Sequence, residues 1–142
     1  MNRELKFRVW NKDLRCFWKE SEILGITVDG KIIAKFDERC TAILDKSAKD
    51  NIIQKFTDLK DSGGKEIYEG DVIEFSLKDF KQIYQVYWNQ EMLRWDYASL
   101  KDNIEDPCAC EYDLFERNFS NAKIVGNIFE SPELFKECKP IR

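Results

Sequence analysis

The sequence predicts a mainly β fold: a β-rich α+β protein built from bent antiparallel sheets, with one or two short helices. Three observations carry that expectation. Aromatic residues make up 13% of the 142 residues (ten Phe, five Tyr and four Trp), and such side chains favour strands and pack large areas. Apolar and polar residues alternate with period two in several short runs. Gly and Asp then mark the corners between runs, most clearly within 53–75.

Taken in order, Leu5, Phe7 and Val9 alternate with Lys6, Arg8 and Trp10, and Asn11-Lys12-Asp13 is turn chemistry. Leu14, Cys16 and Trp18 then alternate with Arg15 and Phe17, so a first hairpin is expected. The apolar runs 22–28 and 31–36 flank Asp29-Gly30, which favours a type I′ hairpin turn with positive φ at both central positions. Thr41 opens a segment that can form one helical turn, and 45–51 reads as a connection. This places an N-terminal β-hairpin lobe at 1–50 and a central β domain at 51–142, or a single domain overall.

The central stretch reads as strand, glycine turn, short strand, second glycine turn, strand. Gly63 and Gly64 suit a turn because glycine takes left-handed backbone angles without steric cost. Gly70 and Asp71 form the second corner, of a kind common in small, strongly bent barrels. Two aromatic runs, 83–88 and 92–97, flank Asn89-Gln90-Glu91 as a hairpin. Tyr84, Val86 and Trp88 share one face, as do Leu93, Trp95 and Tyr97. The acidic stretch 101–118, broken by Pro107, reads as a surface loop with a helical turn over 112–117. Ile124-Val125 begins a last strand, with Gly126 beside it. Ser131-Pro132-Glu133 then signals a short helix, because Ser caps, Pro suits the first position and Glu favours the positive end. The sequence shows no internal repeat.

Hydrophobic residues at 43% and charged residues at 35% describe an ordinary globular chain. A net charge of −4 gives no global attraction to nucleic acid or an anionic membrane. No apolar run is long enough to span a bilayer, and the first residues lack a signal-peptide core, so a cytoplasmic protein is expected. Five cysteines at irregular spacing fit reduced thiols better than a disulfide scaffold.

The chain has no histidine, which removes the commonest general base and metal ligand together. No catalytic constellation replaces it, and an enzyme is not expected. Cys108-Ala109-Cys110 lacks the second spaced pair of a zinc site, so no metal or cofactor is expected. Glu66, Glu69, Asp71 and Glu74 crowd one region, but a turn in which Asp71 accepts backbone amides accounts for them better than acid–base work. Gly63-Gly64-Lys65 lacks the spacing of a phosphate loop. Trp88, Arg94, Trp95 and Tyr97 carry two readings: rings that fill a sheet core, or a cation-flanked stacking platform for single-stranded nucleic acid.

Three patches resemble the YopX-like family of phage and prophage proteins. They are Phe7-Arg8-Val9-Trp10-Asn11-Lys12, the stretch 54–75 and the stretch 124–134. Leu59-Lys60-Asp61, Gly64-Lys65, Ile67-Tyr68-Glu69-Gly70-Asp71, Gly126-Asn127 and Pro132-Glu133-Leu134 carry the resemblance. One departure is Asp58, where the family usually has Gly; Asp tolerates left-handed angles better than most residues. The resemblance implies a phage or prophage origin and a small SH3-like barrel in the central and C-terminal parts. It implies no reaction, and its motif falls on turns and strand starts.

The resulting expectation is a non-enzymatic interaction module in the bacterial cytoplasm. Its partner would be a phage or host protein, or a second copy in a homo-oligomer. The alternative is a nucleic-acid-binding module using the aromatic and basic sheet face.

Overall fold

The computed structural model describes residues 5–35, 37–44, 50–77, 80–99, 111–113 and 121–135. Strands dominate them, all the pairings with a defined register are antiparallel, and the expected mainly β fold is found. The chain divides into two compact units, Lys6–Gln54 and Met1–Leu5 with Lys55–Arg142.

In the first unit, β1 (Phe7–Asn11) and β2 (Cys16–Phe17) form the opening hairpin, with Trp10 opposite Phe17 and Asn11 opposite Cys16. Leu14 belongs to the loop and is 71% exposed, so it does not continue the strand alternation. The Asn11 Oδ1 accepts the Leu14 amide, which bends the chain before β2 begins. Period two also fails in β1: Val9 and Trp10 are both buried while Phe7 is exposed, because each face of this short strand meets a different partner.

A 3-10 turn at Glu20–Glu22 leads into β3 (Ile23–Ile26), β4 (Ile32–Lys35) and β5 (Thr41–Leu44), a three-stranded sheet in that order. The segment at Thr41 is therefore a strand and not a helical turn; β-branched Thr and Ile fit an edge that pairs with β4 in register. The Asp29-Gly30 hairpin exists, but its turn is not type I′. Only Gly30 has positive φ (82°), and the Gly30 amide donates to the Thr27 carbonyl. That is a three-residue loop closed by a left-handed glycine. Val9, Ile32 and Ala34 form the core here, packed by Trp18, Ile23 and Ile53.

Strand β6 (Asn51–Lys60) begins in the first unit and ends in the second. Its last part pairs with β7 (Glu66–Tyr68), with Phe56 opposite Tyr68 and Lys60 opposite Glu66. Between these pairs the register slips, and Asp58 takes φ 68° in the irregularity. The position where the family pattern has Gly is thus left-handed here, and Asp fills it.

The main sheet of the second unit has the order β11-β10-β9-β8-β12. Its strands are β8 (Asp71–Leu77), β9 (Phe80–Asn89), β10 (Arg94–Ser99), β11 (Glu111–Asp113) and β12 (Ala122–Asn127). Residues 111–113 are thus strand, where a loop and helical turn were expected; Tyr112 pairs with Tyr97 across the β10–β11 ladder. The remainder of 101–110 and 114–120, including Cys108 and Cys110, lies outside the described residues. Pro132–Phe135 forms a short 3-10 helix where Ser131-Pro132-Glu133 predicted a helix start. Ile67, Ile73, Phe75, Tyr84, Val86, Trp95, Tyr97 and Ala122 make the core. Tyr84 and Tyr97 meet edge to face at 5.0 Å, and Phe75 lies 5.6 Å from Tyr84.

Candidate functional site

The aromatic hairpin of β9 and β10 brings the four candidate side chains together along one ladder. Trp88 lies opposite Trp95, Arg94 opposite Asn89 and Tyr97 opposite Val86. The two Trp rings meet edge to face at 5.1 Å, a preferred arrangement for such pairs. Trp95 and Tyr97 are each only 2% exposed, so their rings serve the core and present no face to a base. Trp88 is half-buried, and its indole N–H donates to Gln90 Oε1 at 3.2 Å.

Arg94 is committed to the sheet. Its Nε donates to Asp96 Oδ1 at 2.7 Å, and Asn89 Nδ2 donates to Asp96 Oδ2 at 2.6 Å. Asp96 is fully buried, so both of its oxygens need such donors to offset lost hydration. The loop joining the strands is longer than the sequence suggests: Asn89 Oδ1 accepts the amides of Glu91 and Met92, and Leu93 takes φ 51° before β10 begins at Arg94. Leu93 is therefore a loop residue, 67% exposed, and does not share a strand face with Trp95 and Tyr97.

The second feature is the corner at Gly70 and Asp71. Gly70 has φ 83°, its amide donates to the Val86 carbonyl, and its own carbonyl accepts the Ile128 amide. The buried Asp71 carboxylate accepts the Tyr68 amide at 2.8 Å and the Asn127 side-chain amide at 3.2 Å. Asn127 in turn accepts the Phe129 amide. One corner thus joins β7, β8, β9 and the end of β12, and Asp71 has the turn-amide role its position predicts. Gly126 is not a turn residue. It lies within β12 opposite Val72, at a register irregularity, and its φ is not left-handed. A glycine there relaxes the ladder at the bulge.

The third feature is the turn at 61–65. Asp61 Oδ1 accepts the Gly63 and Lys65 amides, each at 2.9 Å, and Oδ2 accepts the Ile124 amide at 3.2 Å. The Ser62 amide also donates to the Ala122 carbonyl at 2.9 Å. Gly64 carries the positive φ (82°), whereas Gly63 does not, so only Gly64 needs glycine's freedom. Burial works to raise the Asp61 carboxyl, but the amides of Lys65, Ile124 and Gly63 and the Lys65 charge outweigh it and hold it below the ordinary value.

The carboxylates Glu66, Glu69, Asp71 and Glu74 serve different partners. Glu66 accepts the Tyr68 hydroxyl, and Glu74 Oε1 accepts the Ser76 hydroxyl. Burial pushes the Glu69 carboxyl up, against the amide and charge of Lys55. No group of three or more His, Cys, Asp and Glu among the described residues is placed to hold a metal ion. Cys16 and Cys40 are exposed free thiols. No helix among the described residues is long and apolar enough to cross a membrane.

Sequence reasoning missed Asp61, Asn89, Asp96 and Asn127 as organising side chains. A signal existed for Asn89: both Trp10-Asn11 and Trp88-Asn89 precede four loop residues and a second ring.

The fold is shared with solved proteins. The crystal structure of protein EF1440 from Enterococcus faecalis superposes with a TM-score of 0.58 at 20% identity, covering 95% of this chain and 100% of that one. The crystal structure of yopX from Bacillus subtilis gives a TM-score of 0.63 at 13% identity, covering 94% and 97% respectively. At such identities the likeness concerns the fold alone. No curated protein sequence matches the chain. The family model for the YopX protein matches residues 6–136, nearly the whole length, and the chain therefore belongs to the YopX family.

Proposed function

We propose that this chain is a non-enzymatic protein-interaction module. The reading extends to a phage- or prophage-encoded protein acting in the bacterial cytoplasm on a phage or host protein, with the second unit taken as an SH3-like small barrel. The observation that carries it is the pair of hairpin tips. Each loop is pinned from behind by an Asn side chain and an edge-to-face ring pair, and each raises apolar residues into solvent: Leu14 (71% exposed) at one tip, Met92 (59%) and Leu93 (67%) at the other. Rigid loops bearing exposed apolar side chains are how scaffolds present binding residues at low entropic cost. Leu93 also holds a left-handed backbone that a leucine rarely adopts, a sign of a site shaped for presentation.

The nucleic-acid reading retains Trp88 and Arg94, but Trp95 and Tyr97 are core residues and Arg94 already binds Asp96. We therefore place the interaction reading first. The test is co-purification of the tagged chain from bacterial cells carrying the parent phage or prophage, with and without nuclease, beside a Met92→Asp/Leu93→Asp variant. A stoichiometric protein partner that survives nuclease and is lost from the variant is the expected result. Recovery of nucleic acid alone, or of the same proteins with both chains, overturns the proposal.

A further inference from the structure

Asp29 is the only aspartate in the sequence that glycine follows, and no asparagine has such a neighbour. The pairing has chemical consequences, because the amide after an aspartate can attack its side-chain carboxyl, and glycine brings no Cβ to hinder the approach. In that reaction the Gly30 nitrogen, its proton lost to solvent, bonds to Asp29 Cγ. The carboxyl hydroxyl leaves with a proton as water, and a cyclic succinimide results. Water then adds at the former main-chain carbonyl and breaks its bond to that nitrogen. The chain now runs through Cγ as isoaspartate, one methylene longer, with no oxidant or reductant consumed.

The turn between β3 and β4 leaves these groups open to water yet restrains both. Val28 is fully exposed, the Asp29 side chain is 63% exposed, and space is open where a Cβ on Gly30 would stand. Thr27 holds each reactant: its carbonyl accepts the Gly30 amide at 2.9 Å, and its hydroxyl donates to Asp29 Oδ1. The same hydroxyl oxygen accepts the Lys31 amide at 2.8 Å, and Lys31 Nζ lies 3.5 Å from Asp29 Oδ2. The Thr27 hydroxyl, helped by the Asp29 amide and the Lys31 charge against slight desolvation, keeps the Asp29 carboxyl below its ordinary value. That favours the carboxylate, which is the less reactive form. Asp61-Ser62 supplies the contrast. There the Ser62 amide donates to the Ala122 carbonyl, and the Asp61 oxygens accept the amides of Gly63, Lys65 and Ile124, the last 63 residues away. Freeing that pair means parting the turn from β12, whereas the bonds of Thr27 to Asp29 and Gly30 lie within one exposed turn, where local opening costs little.

We infer that Asp29-Gly30 is a site of spontaneous covalent modification, at which isoaspartate forms, and that the Thr27 hydroxyl is the latch that slows it. The effect reaches the core. Ile26 pairs with Ile32 at the base of the turn, and Ile32 is fully buried beside Val9 and Ala34. An added methylene between β3 and β4 pulls against that pairing, so modification destabilises the first unit. This inference concerns the 27–31 turn and not the hairpin tips at Leu14 and Met92, and it stands independently of the proposed interaction role.

The test is ageing of the purified chain at neutral pH and physiological temperature, with isoaspartate located by peptide mapping under electron-transfer fragmentation. Isoaspartate should accumulate at Asp29 ahead of Asp61, and Asp29→Glu should abolish it, since the longer side chain closes a ring far more slowly. Thr27→Val should speed it about fivefold, the scale of one lost hydrogen bond, while Thr27→Ser, which keeps the hydroxyl, should age like wild type. The modified chain, separated by ion exchange, should unfold at lower denaturant than the unmodified one. No isoaspartate at Asp29, or as much at Asp61, overturns the site. Equal rates in wild type and Thr27→Val, or a Thr27→Ser rate that matches Thr27→Val, overturn the latch. Identical unfolding of modified and unmodified chains overturns the effect on the core. Should Thr27→Val fail to fold, the wild type is compared with the same chain held unfolded in guanidinium chloride. Slower modification of Asp29 in the folded chain upholds the latch, and equal rates overturn it.

Discussion

Two hairpins, one in each unit, are built on the same plan and buried the opposite way. In both, a Trp-Asn pair ends the first strand, four loop residues follow, and a ring on the second strand packs edge to face on the Trp: Trp10 with Phe17 at 4.9 Å and 72°, Trp88 with Trp95 at 5.1 Å and 74°. The last loop residue is left-handed and not glycine in both, Arg15 at φ 52° and Leu93 at φ 51°. Yet the first-strand ring, Trp10, is buried in one, while the second-strand ring, Trp95, is buried in the other. Each arginine also has a different duty. Arg8 lies 4.6 Å above the Phe17 ring and donates to neutral Gln54, whereas Arg94 neutralises a fully buried Asp96. The difference teaches that loop chemistry fixes the hairpin locally, and the sheet behind it decides which ring becomes core.

The largest effects should follow the buried ring and not the strand position. Trp10→Ala and Trp95→Ala should each destabilise by about 3–5 kcal/mol, the usual cost of deleting a large core ring. Their half-buried partners, in Phe17→Ala and Trp88→Ala, should cost about 1–2 kcal/mol because less apolar area returns to water. Denaturant unfolding of the four variants checks this, and equal losses within a pair break the comparison.

The arginines come next. Arg94→Met strips the main donor from a buried carboxylate and should cost about 2–3 kcal/mol, the lower part of the range for such pairs because Asn89 still binds Asp96. Arg8→Met leaves a neutral amide behind and should cost about 1 kcal/mol. The same unfolding experiments rank them; a larger loss for Arg8→Met would mean that its contacts, and not the buried charge, dominate.

A smaller, pH-dependent effect separates the two carboxylate corners of the second unit. The folded Glu69 carboxyl is raised above 4.5, so its favourable contribution is present below that pH and is lost as pH rises through the raised value. Glu69→Gln should therefore be more stable than wild type near neutral pH, with the gap closing in acid. Asp61 has the opposite sign. Its carboxyl is held below 3.8, so its contribution is present above that pH and fades as pH falls through the depressed value. Unfolding free energies measured from neutral to acidic pH test both, and parallel profiles for Glu69→Gln and wild type reject the Glu69 assignment.

Much of this was legible where local chemistry decides. Asp29-Gly30, Gly64 and Gly70 mark corners because left-handed backbone is cheap only for glycine, and Pro132 marks a helix start because it needs no amide donor. What was hidden was tertiary. Nothing local distinguishes Gly63 from Gly64, since φ depends on how the loop closes on Lys65. Thr41 has the propensities of either state until β4 pairs with it. Trp88, Trp95 and Tyr97 were legible as one constellation, but whether rings fill a core or line a surface depends on sheet partners far away in sequence. Asp61 and Asn127 act across separations of 63 and 56 residues, which no spacing rule reaches.

The smallest effect tests whether the two loops are truly equivalent. A non-glycine residue in the left-handed region costs about 1–2 kcal/mol, and glycine returns about 0.5–1 kcal/mol of that through the greater freedom of its unfolded chain. Arg15→Gly and Leu93→Gly should therefore each stabilise by about 0.5 kcal/mol, and by the same amount, because φ at the two positions agrees within a degree. Neither side chain is buried, so neither change opens a cavity. Thermal unfolding resolves a shift of that size in a domain of this length. Equal gains place the strain in the backbone, where Asn11 and Asn89 hold it. Should Leu93→Gly destabilise while Arg15→Gly stabilises, the leucine side chain packs on its own unit, and the exposed tip of the second hairpin loses its claim to be the presenting surface.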